Sequence, residues 1–198
     1  KIDFKGFPWR TTWRSLVAET AVGYDSFVTG TAWILFITVV IFAGDGHEVY
    51  AKVGALASVA LIAALLASYT FGKLIDRRRG GDLLKAGTIL NSFTHAMRVF
   101  VTTPVSIIFT NILNEAATTA YSMAFTRGLF DTADYSGKRI AYLYLIEVVV
   151  NLGNAIAALI FAVILSVAPV DTAFKVFFVV SSVVVLFIGT PRFMLYRK

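Results

Sequence analysis

The sequence predicts an all-α integral membrane protein: six transmembrane helices with both termini on the cytoplasmic side. Three observations carry that prediction, namely the apolar content, the spacing of the charged clusters, and the side on which the cations fall. Hydrophobic residues make up 58% of the chain and charged residues only 15%, whereas soluble domains hold about 45 to 50% apolar residues. At about 20 apolar residues per spanning helix plus short turns, 198 residues accommodate about six spans and leave no large soluble domain. The whole chain, 1–198, therefore reads as a single bundle. The net charge of +6 does not point to nucleic acid, because the basic residues sit in the turns and termini, where a topological signal explains them.

The stretch GKLIDRRRGGD, Gly72 to Asp82, anchors the topology. An aspartate or arginine at the bilayer centre costs about 3 kcal/mol on insertion scales, so Asp76, Arg77, Arg78 and Arg79 must lie in water. By the positive-inside rule this turn is cytoplasmic, and the remaining segments then alternate from it.

The first span is expected at about 16–43, preceded by Lys1, Lys5, Arg10 and Arg14 and by Trp9 and Trp13, which suit the headgroup level. GDGHE forms the next turn, and a second span at about 49–71 is rich in Ala, Gly and Ser, which permit close helix approach. The third span, about 83–101, carries Lys85, Asn91, His95 and Arg98 and is the least apolar. Thr102, Thr103 and Pro104 break it, and a fourth span at about 104–126 leads to a second charged turn, Arg127 to Arg139. The fifth and sixth spans follow at about 140–167 and 172–195, with Pro169 and Asp171 between them. Of the 18 Lys and Arg residues, only Lys52 and Lys175 fall on the opposite side from the rest and only Arg98 within a span. Adding or removing one span would scramble that asymmetry. The N-terminal KIDFKGFPWR is charged and has no apolar h-region, so no cleavable signal peptide is expected. Without an initiator Met, the chain reads as processed or as a piece of something longer.

In the organising turn, Gly72, Leu74, Asp76 and Arg77 resemble the loop motif between the second and third helices of a half of the major facilitator superfamily. The later part, at Arg79 and Gly80, departs from it. The resemblance covers the chain in topology and about ten residues in motif. It implies one six-helix half of a secondary transporter, completed by a second six-helix half, either the missing N-terminal half or a copy of the same chain. The C-terminal half is favoured, since Arg139, Tyr142, Glu147, Asn151 and Gly153 are similar to the eleventh helix of some bacterial members. Such a protein would sit among the lipids of a bacterial inner (plasma) membrane. It would move a small solute of unknown identity by alternating access, with proton or sodium as the coupling ion.

Intramembrane ionisable groups are functional candidates because holding them there is costly. At 1.5 Å per residue, Asp25 lies about 15 Å into the first span, Glu115 about 16 Å into the fourth and Glu147 about 12 Å into the fifth. Glu19, about one turn from the surface, is able to snorkel out. Asn111, Asn114, Glu115, Thr118 and Ser122 recur at helical spacing, and a second stripe runs through Tyr144, Glu147, Asn151 and Asn154. In the family the first and fourth helices line the cavity, so the resemblance puts Asp25, Asn111, Asn114 and Glu115 on the pathway. The alternative is a set of interhelical hydrogen bonds. Glu147 and Asn151 fit either the pathway or a half-to-half interface. His95, Arg98 and Asn91 share a face of the third span, open to a proton-relay reading or to a structural ion pair between Asp25 and Arg98. For Gly72, Asp76, Arg77 and Arg78 the resemblance implies a cytoplasmic gate, against simple topology-setting or contact with anionic lipid. No catalytic set, metal-ligand cluster or cofactor motif is recognisable, so an enzyme is not expected. A non-transporting six-helix subunit or an oligomeric channel remains the competing class.

Overall fold

Six long helices alternate in direction through the computed structural model, which describes residues 2–44, 46–77 and 79–196. They are α1 Trp9–Ile41, α2 Glu48–Asp76, α3 Gly80–Arg98, α4 Pro104–Tyr135, α5 Arg139–Val167 and α6 Val170–Gly189. Four of them, α1, α2, α5 and α6, are long and apolar enough to cross a membrane, and no strand is present among the described residues.

Contacts fix the directions. Phe7 meets Tyr142, a Cβ on Gly153 would meet Thr20, and Phe27 meets Phe161, so α1 and α5 ascend together. Gly87 lies against Tyr121 and Arg98 bonds Asn114, so α3 and α4 are antiparallel. The α1–α5 crossing brings the backbones into direct contact. A Cβ on Gly23 would sit 1.9 Å from the Val150 carbonyl oxygen, and one on Gly153 would sit 2.0 Å from that of Thr20. Only hydrogen side chains let two helices approach this closely.

The charged turns are shorter than their sequences suggest. α2 runs through to Asp76 and α3 restarts at Gly80; likewise α4 continues to Tyr135, and Gly137 adopts φ 65° in the turn before α5. Backbone hydrogen bonds satisfy a helix in water as well as in lipid, so the helices outrun their apolar segments. α4 starts where the sequence places it, capped by a reciprocal Thr103–Ser106 box with Pro104 in its first turn. α6 ends at Gly189, short of the expected 195, because Pro191 cannot extend the hydrogen-bond ladder. The chain then crosses α3 and α4. Phe193 lies against Gly128, and Tyr196 covers Gly80 and Gly81 while its hydroxyl donates to the Ala124 carbonyl at 2.8 Å. At the other end of the chain the Lys5 backbone N–H and the Lys138 ammonium bond Asp3, holding its exposed carboxyl below the usual range.

Inside, two apolar cores are separated by a polar layer. One gathers Ala18, Leu84, Ala124, Tyr142 and Ile188; the other holds Val28, Phe36, Ile107, Phe177 and Phe178. Asp25, Asn91, His95, Arg98 and Asn114 lie between them, each at most 2% exposed.

α1 is not α-helical throughout. Residues Val28–Ala32 and Ile37–Ile41 form π-helical turns, closed by i→i+5 bonds from Trp33 to Val28 and from Phe42 to Ile37. Such turns take up an extra residue without breaking the helix.

Candidate functional site

The polar layer is built from α1, α3 and α4 around the Asp25 carboxylate. Oδ1 accepts from His95 Nε2 at 2.6 Å, and Oδ2 accepts from Tyr121 OH at 2.6 Å and Asn91 Nδ2 at 3.0 Å. The other ring nitrogen of His95 faces Arg98 Nη1 at 2.9 Å. A guanidinium only donates, so His95 Nδ1 carries the lone pair and Nε2 the proton that points at Asp25. This tautomer leaves one carboxylate and one guanidinium joined through a neutral imidazole.

Arg98 is fully buried and held from several sides, with its Nε left without a hydrogen-bond partner. Nη2 donates to Asn114 Oδ1 at 2.8 Å, while the guanidinium carbon lies 4.8 Å from the Trp33 ring centroid and 5.8 Å from that of Phe178. Trp33 donates its indole N–H to Asn111 Oδ1 at 2.7 Å. Aromatic faces and amide oxygens replace the water an arginine would otherwise hold.

The residues named from sequence therefore divide into two groups. Asp25, Asn111 and Asn114 belong to the interior network, and Glu115, half-buried one residue further on, interacts electrostatically with Arg98. Asp25 and Arg98 share no direct hydrogen bond, because His95 stands between them; the expected pair is a three-residue chain. Glu147 and Asn151 lie outside it on the exposed face of α5, with Asn151 Nδ2 donating to Glu147 Oε1 at 3.1 Å. In the loop motif, Asp76 lies 3.8 Å from Arg127 across an exposed gap, Arg77 closes α2 through its backbone N–H to Lys73, and Gly72 lies near Met123. Arg78 lies outside the described residues.

The chain matches no family model, no curated protein and no solved structure. The likeness of the Gly72–Arg77 loop to a transporter motif thus rests on the motif and on the order of the helices.

Two further residues join the site. Tyr121 donates to Asp25, and its place was legible as the seventh residue after Asn114 on the same stripe. Glu19, read as able to reach the surface, is instead turned inward, in electrostatic contact with Glu147, Tyr121 and Tyr142. It joins the polar edges of α1, α4 and α5 on one side of the bundle. Nothing in its local sequence marks that inward turn, which depends on the Gly23–Gly153 crossing.

Proposed function

We propose that the chain is one half of a secondary active transporter, moving a small solute by alternating access and completed by a second six-helix unit. The observation that carries this reading is the uncovered polar side: Glu147 and Asn151 on α5, Ser26 and Gly30 on α1, with the half-buried Glu115, Thr118 and Ser122 on α4. In hydrocarbon these groups require a covering partner or a water-filled cavity. Asp25 and Arg98, by contrast, are already neutralised inside.

In this reading all six helices span a bacterial inner membrane with both termini cytoplasmic. α3 and α4 can be less apolar than the others because each is packed by its neighbours: α3 buries nine residues and α4 eleven. A helix shielded from lipid has no need of an apolar surface all round. The exposed pair of Asp76, the last residue of α2, and Arg127, about two turns before the end of α4, would break and re-form as two halves rock. The covering unit is the other half of a longer chain or a second copy.

A channel made by several copies is the competing reading. Uptake of radiolabelled sugars, amino acids and organic acids into proteoliposomes under an imposed proton or sodium gradient separates the two. Saturable, gradient-driven uptake without unitary currents is expected; discrete currents in planar bilayers with no gradient-driven uptake would replace the transporter with a channel.

A further inference from the structure

At the end of the bundle where α1 begins and α4 closes, a cavity of about 480 Å³ is lined by Arg10, Arg14 and Arg192 together with Thr11, Tyr135 and Ser136. Arg14 and Arg192 are shared with an adjoining cavity of about 540 Å³, where Lys85 joins them beside Val17 and Phe187. Trp13 lines both and is 51% exposed, with the Arg14 guanidinium 5.3 Å from its ring centroid. Among the described residues no aspartate or glutamate lines either cavity. Of the carboxylates nearby, Asp3 pairs with Lys138, Asp134 with Arg139, Asp82 with Arg79 and Asp76 with Arg127, while Asp131, next to Thr132, has a buried oxygen without a hydrogen-bond partner but lines neither cavity.

Four cations gathered around two joined cavities without an anion repel one another, and an oxyanion placed among them relieves that repulsion. Guanidinium forks and hydroxyls are the donors that match phosphoryl oxygens. The second cavity adds apolar walls and a tryptophan, the surroundings of a headgroup whose acyl chains run into the bilayer. We propose that Arg10, Arg14, Arg192 and Lys85 form a binding site for a phosphoryl group, supplied by the headgroup of an anionic membrane lipid. Arg10 and Arg14 approach the phosphoryl group from the start of α1, and Arg192 from the segment after α6. Its occupancy would tie the segment carrying Arg192, Phe193 and Tyr196 to the first helix.

The test uses the full chain with Trp9→Phe, in nanodiscs of phosphatidylcholine containing either brominated phosphatidylglycerol or brominated phosphatidylcholine, and reads tryptophan fluorescence. Trp33 is buried in the interior and serves as a constant background. Brominated phosphatidylglycerol should quench more strongly than brominated phosphatidylcholine. Each of Arg10→Gln and Arg192→Gln, at exposed positions that leave the core untouched, should raise the half-quenching fraction about fivefold, as expected for a basic residue at an anionic surface. The triple variant with Arg14→Gln should abolish the preference, whereas Arg127→Gln, outside both cavities, should retain it. A second arm titrates inorganic phosphate in neutral detergent. A phosphate response without a phosphatidylglycerol preference would keep the phosphoryl site and overturn its lipid source. Equal quenching by both lipids with no phosphate response, or an equal loss in Arg127→Gln, would overturn the proposal.

Discussion

His95 donates its Nε2 proton to Asp25 across 2.6 Å because Arg98 occupies its other nitrogen. The imidazole thereby couples two charges that do not touch. Arg98→Gln leaves the buried carboxylate uncompensated and should lower stability by about 3 to 5 kcal/mol. Adding Asp25→Asn to it should restore part of that loss, giving a coupling energy of about 0.5 to 3 kcal/mol between residues without direct contact. Thermal unfolding in detergent of the two single variants and the double variant measures it. Strict additivity would show that the imidazole transmits nothing.

The α1–α5 crossing makes an equally sharp prediction about two glycines seven residues apart on one helix. Gly23→Ala places a methyl group 1.9 Å from the Val150 oxygen, so the helices must separate, at a cost of about 1 to 3 kcal/mol or more. Gly30→Ala meets nothing within 4 Å and should instead be neutral or gain up to about 1 kcal/mol from helix propensity. Thermal unfolding of the two variants side by side decides whether close approach or propensity governs this helix.

Much of this architecture was legible in the sequence. The strongly apolar segments at Glu48–Asp76 and Arg139–Val167 are visible because each presents an exposed apolar face to its surroundings. α3 and α4 are harder to read, since helices enclosed by neighbours tolerate Asn91, His95 and Asn114 in their interiors. Depth along a helix puts Asp25 near the middle of α1, but depth gives no azimuth, and the intervening His95 emerges only from the packing. The seats of Phe193 and Tyr196 on Gly128, Gly80 and Gly81 join segments more than 60 residues apart, a relation that no local pattern encodes.

If transport is coupled to protons, Glu115 is the group to test, being half-buried beside Arg98 on the polar side of α4. Glu115→Gln keeps shape and hydrogen bonding while removing titration. Uptake should persist with a flattened pH profile in proteoliposomes. An unchanged profile would remove Glu115 from the coupling step.

The polar side of α5 predicts a neighbour. Cysteine introduced at exposed Asn151 should crosslink between two copies in native membranes if the second unit is the same chain, whereas cysteine at buried Ala157 should not. A chain that remains monomeric and well folded in lipid would remove the need for any covering unit.

The π-helical turn at Val28–Ala32 explains how one helix serves both ends of the network. In an uninterrupted α-helix Asp25 and Trp33, eight residues apart, would diverge by about 80°. The wider turn absorbs about one residue and brings Trp33 back to the side where Arg98 and Asn111 await it. Helix α1 therefore carries its own slack. Deleting the exposed Thr31 should convert this turn to ordinary α-helix, shorten the segment and leave Asp25 and Trp33 close to their present alignment. Folded yield near that of the parent chain would show that the length of α1 is adjustable at this one place, like a telescoping joint, in a helix whose register is otherwise fixed at both ends.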